Sequence, residues 1–236
     1  MLQLLIILME ISIKPKKFTL WLVVITGLLV IMHLISSYLR YYTDHGNALP
    51  IFNMDSEVSI PTWFSQSLLL ATAGILFLIA TFKKGSKKSY FKHWVALGTV
   101  FVYLSVDEGA RLHEGLGNPL RDLLGAGGTL LHFTWVVAGL ALLATLGFVY
   151  FRFWLKLPKK TRVLFLTSAV VYTLGAVGME MFGGYHYSQN GFDFTYHMFA
   201  LVEETLEMLG VTLFIYTLLD YFTSATNKLN FKLKNS

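Results

Sequence analysis

The sequence predicts an all-α polytopic membrane protein, a bundle of six transmembrane helices with both termini in the cytoplasm. Hydrophobic residues make up 55% of the 236 residues and charged residues only 14%, whereas soluble domains average roughly 45–50% and 25%. The mean hydropathy of +0.57 agrees with this. Such a composition excludes a disordered chain, a coiled coil and an ordinary soluble domain.

Six segments are long enough to form the predicted helices, because crossing the hydrocarbon takes about 20 mostly apolar residues. They are 18–39, 61–82, 90–116, 129–151, 162–185 and 194–222. The first, second and fourth contain no Asp, Glu, Lys or Arg. The other three qualify because charges are tolerated near a helix end or inside a bundle.

The distribution of basic residues supports this threading. With the N-terminus inside, 16 Lys and Arg residues fall on the inner side and three on the outer side, as the positive-inside rule requires. We therefore expect a multi-pass protein of the cell (inner) membrane, and the net charge of +5 reports topology rather than nucleic-acid binding. Residues 1–17 are expected to form an interfacial extension, with Met9 as an alternative start, and 223–236 a cytoplasmic tail.

Acidic residues are concentrated in the outer halves of the predicted helices. In the third segment, Asp107, Arg111 and Glu114 fall within about 60° on a continuous helix, while Glu108 flanks them and His113 points elsewhere. This pattern is typical of a carboxylate-lined pocket. The alternative is two internal ion pairs, Asp107–Arg111 and Arg111–Glu114, that only orient the helices.

The sixth segment carries the strongest signal. Asp193, His197, Glu203, Glu204 and Glu207 lie within an arc of about 120° on one helix. Unpaired carboxylates at membrane depth cannot all stay ionised, and intramembrane ionisable residues are functional by default. The alternative is a proton-sharing network that only packs helices.

Three further residues are predicted at the same depth and side. Glu180 lies near the outer end of the fifth segment, and His132 and Trp135 begin the fourth. Because the chain has no Cys, thiolate sites are excluded, and a Glu/Asp/His set favours Fe, Mn or Zn. No Glu-x-x-His, HExxH, phosphate-binding or dinucleotide-binding motif is present.

The leading hypothesis is a cation or metal site in the outer half of the bundle, which would serve a metal-dependent enzyme acting on a lipid-soluble or periplasmic molecule. Glu108, Glu204 and Glu207 are the predicted catalytic residues. The predicted metal ligands are Glu108, His132, Glu180, His197, Glu203, Glu204 and Glu207, with Asp107, Arg111, His113, Glu114 and Trp135 in support. A proton- or cation-coupled transporter and a non-catalytic assembly or sensor protein are the alternatives.

Several runs of this sequence resemble an uncharacterised family of small bacterial multi-pass membrane proteins. They are SVDE at 105–108, HE at 113–114, IPTWFS at 60–65 and EETLEMLG at 203–210. The resemblance covers most of 18–222 and implies the architecture, but no activity. The Asp- and His-bearing helix also resembles ceramidase-type membrane hydrolases. Those have seven helices and a His-x-x-x-His motif near the C-terminus, which this chain lacks, so their residues are not carried over.

Overall fold

The computed structural model describes residues 10–11, 14–44, 49–84, 90–126, 128–226 and 231–232, and it confirms the predicted all-α class. In chain order the helices are α1 (Pro15–Tyr42), α2 (Ile60–Lys83), α3 (Phe91–Ala110), α4 (Leu112–Leu124), α5 (Trp135–Leu155), α6 (Lys159–Thr173), α7 (Glu180–Asn190) and α8 (Phe194–Thr226). A π-helical turn, Leu174–Met179, joins α6 to α7.

Two short strands, β1 (Glu10–Ile11) and β2 (Phe231–Lys232), pair antiparallel. Both ends of the chain therefore meet at one end of the bundle. We call this end, where α2 and α5 finish, the inner end, and the opposite end the outer end. Most of the predicted extension 1–17 lies outside the described residues, and α8 continues four residues past the predicted boundary at 222.

Four helical stretches are long and apolar enough to cross a membrane, which supports a membrane protein. They are α1, α2, α5 and the continuous helix Lys159–Asn190. The helices α3 and α8, which together carry six of the fourteen acidic residues, are not among them.

Three of the predicted helices have different bounds in the structure. The third helix ends at Ala110 instead of 116, because Arg111 adopts a left-handed conformation (φ 52°) and its N–H donates to the Asp107 carbonyl, which caps the helix. The fourth begins at Trp135 instead of 129, since turns occupy the residues before it. The fifth runs without a break from Lys159 to Asn190 instead of 162–185.

Helix α8 is the centre of the bundle and packs against α1, α2 and α6. Its crossing with the helix Lys159–Asn190 is very close. A Cβ on Gly210 would lie 2.7 Å from the Tyr172 backbone nitrogen, and one on Gly175 would lie 2.7 Å from the Glu203 carbonyl oxygen. Small residues permit such close approach of helix backbones.

Helix α5 is attached differently, by its two ends. At the inner end the Tyr150 hydroxyl donates to the His93 carbonyl (2.9 Å), and the rings of Phe153 and Trp94 meet edge to face at 4.9 Å. At the outer end Trp135 anchors the helix. Between these contacts α5 stands away from α3, which leaves a cavity.

Candidate functional site

The cavity has a volume of about 1090 Å³ and lies between α3, α5, α6 and α8. Its lining residues on α5 extend from Trp135 to Trp154, which is about 28 Å at 1.5 Å per residue. The cavity therefore runs along nearly the whole thickness of a bilayer hydrocarbon core, roughly 30 Å.

The two halves of the cavity differ in chemistry. Nine Asp and Glu residues line the cavity between its outer end and Glu207, which lies near its middle: Asp55, Glu57, Asp107, Glu108, Glu114, Glu180, Glu203, Glu204 and Glu207. The inner half is lined by aliphatic and aromatic side chains, among them Leu97, Phe101, Leu146, Phe165 and Phe214. The cavity is thus amphipathic along its length.

Two of the predicted carboxyl groups, Glu180 and Glu203, lie close together in the cavity wall. Trp135 Nε1 donates to Glu180 Oε1 at 2.8 Å, and the Glu203 carboxyl group interacts with that of Glu180. Two buried like charges this close repel each other. This arrangement therefore favours a proton on one of the two.

The three predicted catalytic residues lie on facing helices and interact electrostatically with one another. Glu108 lies beside the Ser65 hydroxyl on α2, and Glu207 lies beside the Tyr172 hydroxyl on α6. Glu204 Oε2 is buried and has no hydrogen-bond partner. Sequence analysis therefore found the acids but not the neutral hydroxyl groups that hold two of them.

The predicted orientation of His113 is wrong, as is the predicted Asp107–Arg111 ion pair. Because α3 ends at Ala110, the chain turns and brings His113 back onto Asp107. His113 Nδ1 lies 2.9 Å from Asp107 Oδ2, its backbone N–H donates to Asp107 Oδ1 at 2.8 Å, and its ring lies 4.6 Å from that of Trp135. A carboxylate that orients an imidazole in this way suits the imidazole to accept a proton.

Ion pairs and hydrogen bonds connect side chains at the outer end of the cavity. Arg111 pairs with Glu114, as one predicted alternative required, and also lies 3.6 Å from Glu57. The Tyr196 hydroxyl donates to Asp55 Oδ1 at 3.2 Å. Sequence analysis missed Asp55, Glu57 and Tyr196. The only signal for the two acids is their position in an outer loop beside a helix start.

We expect the loop of residues 54–59, which carries Asp55 and Glu57 at the outer end of the cavity, to open more readily as the pH rises. Burial raises the pKa of Glu57 to about 7, with Glu108 and Glu114 adding to the shift and Arg111 opposing it. Burial also raises the pKa of Asp55 to about 6. In the open loop both carboxyl groups would have ordinary pKa values of about 4, lower than in the closed loop. The closed loop therefore loses stability as the pH rises from about 4 to about 7, and it loses no more above pH 7.

Hydrogen–deuterium exchange of the 54–59 amides, corrected for the intrinsic exchange rate, measures this effect. Protection should fall several-fold between pH 5 and pH 7.5 in the native chain. In Glu57→Gln the pH dependence should shrink to the part contributed by Asp55. An unchanged pH profile in that variant would contradict the assignment.

Two predicted ligands lie away from the cavity lining. His132 packs its ring against Tyr187 at 5.6 Å, and its Nδ1 has no hydrogen-bond partner. The His197 ring, only 3% exposed, faces α1, with His33 at 6.5 Å between ring centroids and Asp55 Oδ2 at 3.7 Å from Nδ1. The other five predicted ligands line the cavity.

The carboxyl groups are spread along the wall of the cavity. No group of three or more His, Asp or Glu side chains in the described part of the chain is arranged to hold a metal ion. The predicted Fe, Mn or Zn centre therefore gains no support from this geometry and stays a prediction. Elemental analysis of the purified protein tests it.

Comparison with known proteins gives one match. A family model described as "Domain of unknown function (DUF8692)" matches residues 21–222, which include every helix that lines the cavity. No curated protein and no solved structure matches the chain. The predicted likeness to ceramidase-type hydrolases stays a prediction.

Proposed function

The chain belongs to the DUF8692 family, whose description states no function, and we propose that it is a multi-pass cell-membrane protein that binds an amphiphilic molecule. The polar head of this molecule would contact the outer carboxyl groups, and its apolar tail would lie between α3 and α5.

The observation that carries this proposal is the amphipathic cavity. Ligand sites are typically concave, mostly apolar and about 300–1,000 Å³ in volume, with a few polar groups that fix the orientation of the ligand. Here a cavity of about 1090 Å³ has its acidic groups toward one end, while its inner part is lined mainly by apolar side chains. A molecule with one polar end and a long apolar chain matches that distribution, whereas a small polar metabolite would leave the inner half unfilled.

The inner half also argues against a simple ion path. Its lining contains no Asp, Glu, His, Lys or Arg. At the inner end, Trp94, Phe153, Leu218 and Phe222 pack into a buried cluster. A proton or cation crossing here would meet mainly apolar side chains and, among charged or titratable acids and bases of the described lining, none, which is costly in a medium of low polarity.

We also propose six membrane spans with both termini cytoplasmic, and this topology gives a sharp prediction. The chain has no Cys, so a single introduced Cys is labelled without background. Asn190→Cys, at the outer end of α7, should react in intact cells with a membrane-impermeant maleimide. Ser224→Cys, near the end of α8, should react only after the membrane is opened. Reaction of both in intact cells would contradict the proposed topology.

Filling the cavity should abolish binding. Gly147 lines the cavity on α5, and a Cβ there would meet nothing within 4 Å, so Gly147→Trp adds bulk without a clash at its base. We expect this variant to lose at least tenfold in affinity for a 16-carbon amphiphile, measured by native mass spectrometry of the protein released from a non-ionic detergent.

Gly27→Trp is the matched control. A Cβ on Gly27 of α1 also meets nothing within 4 Å, and Gly27 does not line the cavity. The control should bind like the native chain. Equal binding by Gly147→Trp and the native chain would show that the amphiphile only coats the outside of the bundle, and the proposal would fail.

A second candidate is proton-coupled transport of the bound molecule. The neighbouring carboxyl groups of Glu180 and Glu203 favour it, because two buried like charges side by side favour an exchangeable proton on one of them. Proton flux into liposomes that contain the protein, driven by a gradient of the amphiphile, tests this candidate. If the native chain gave no proton flux, transport would be ruled out and amphiphile binding would remain as the proposed function.

A further inference from the structure

We infer that the head group bound in this cavity is a cation, so that the ligand is a long-chain amine or quaternary ammonium compound. This inference rests on the proposed function, because it names the chemical class of the amphiphile.

The charge balance of the cavity is the first argument. Nine acidic side chains line the cavity, whereas only two Lys or Arg residues of the described part of the chain do, Arg111 and Arg121. Both are already engaged: Arg111 pairs with Glu57 and Glu114, and Arg121 Nε donates to the His132 carbonyl at 2.8 Å. The chain therefore offers the deeper acids no free Lys or Arg.

The deeper carboxyl groups show the same deficit. Within the described ranges, no Lys or Arg forms an ion pair with Glu108, Glu180, Glu203, Glu204 or Glu207. Their observed partners are neutral donors or each other, and Glu204 Oε2 is buried without any partner. A buried acceptor without a donor is costly. An N–H group of the ligand would satisfy it.

Aromatic rings occupy the same end of the cavity. The Tyr187 ring lies 4.6 Å from Phe192, 5.7 Å from Tyr196 and 5.9 Å from Phe133, between ring centroids, and all four residues line the cavity. Aromatic faces attract ammonium groups, and clusters of them recognise quaternary ammonium ligands. Rings beside carboxyl groups suit a cation that also carries apolar substituents.

An ammonium group suits this arrangement better than a metal ion or an anionic head. A metal ion needs several ligands that converge on one point, and no such group occurs in the described part of the chain. An ammonium carries up to three N–H donors that spread outward and can reach separate acceptors along a wall. An anionic head would find no free Lys or Arg in the described lining to pair with.

The test uses four probes that share a 16-carbon tail and differ in the head: hexadecylamine, hexadecyltrimethylammonium, hexadecanol and palmitate. Each is titrated into the full-length native chain in a non-ionic detergent, and the 1:1 complex is measured by native mass spectrometry. We expect both cations to bind at least tenfold more tightly than the alcohol or the carboxylate. Gly147→Trp should lose this binding and Gly27→Trp should keep it.

The outcomes separate the inference from the proposed function. If hexadecanol or palmitate binds as tightly as the cations, and Gly147→Trp abolishes that binding, the inference is wrong while the cavity still binds amphiphiles. If none of the four forms a 1:1 complex, or if Gly147→Trp binds them all like the native chain, the proposed function fails and the inference fails with it. The head-group comparison is made on the native chain, so it does not depend on a variant folding.

Discussion

Replacing Gly210 with alanine is expected to destabilise the protein by about 1–3 kcal/mol, the range typical of overpacking. The new Cβ would lie 2.7 Å from the Tyr172 backbone nitrogen and 2.9 Å from its Cα. A backbone cannot rotate out of the way as a flexible side chain can. The helix that carries Tyr172 would therefore have to move away from α8, and thermal unfolding in detergent would show a lower midpoint.

Gly74→Ala is the matched control for this prediction. Gly74 lies within α2, and a Cβ there meets nothing within 4 Å. Alanine is favoured over glycine inside a helix by about 1 kcal/mol, so this variant should be as stable as the native chain or more stable. The two Gly→Ala substitutions should thus change the stability of the protein in opposite directions. Equal midpoints of thermal unfolding for Gly210→Ala and Gly74→Ala would show that the close crossing of the two helices is not needed for stability.

The same crossing positions part of the candidate site. Tyr172 lies beside Glu207, one helical turn before Gly210 on α8, and Gly175 packs on the Glu203 carbonyl from the other helix. Separation of the helices would release both acids from their present positions. Gly210→Ala should therefore weaken amphiphile binding together with stability, whereas Gly147→Trp should weaken binding alone.

Sequence analysis predicted the all-α class, and five of the seven proposed ligands line one cavity in the structure. Both results depend on strong physical signals. Apolar runs long enough for a bilayer define the helices, and charges are too costly in lipid to face outward, so acids at one depth converge inside the bundle.

The errors have equally specific causes. His113 was misplaced because a left-handed residue ended α3, and Arg111 has none of the usual signals for that conformation, which glycine and asparagine favour. His197 was misplaced because it shares a depth with the acids, but depth does not define the direction in which a side chain points. Asp55 and Glu57 lie in a loop, where no helical periodicity relates them to the other acids.

Replacing Glu204 with glutamine is expected to reduce the affinity for hexadecylamine at least tenfold while the protein still inserts and folds. Glutamine keeps the size of the side chain and removes the carboxylate charge. Glu204 lies roughly 15 Å below the start of α8 at 1.5 Å per residue, on the cavity wall, with its Oε2 unpartnered. A charge-assisted hydrogen bond to an ammonium group is among the strongest contacts such a wall can offer.

Asp220→Asn makes the same change of charge away from the cavity. Asp220 Oδ1 accepts a hydrogen bond from Lys160 Nζ at 2.6 Å at the inner end, and losing such a partly exposed pair costs little. This variant should bind hexadecylamine as the native chain does. If Glu204→Gln also bound it with native affinity, Glu204 would be a packing residue, and the cation would have to be held by the other carboxyl groups and the aromatic rings. If both variants lost affinity equally, the effect would come from the total charge of the protein, because only Glu204 is near the proposed head group.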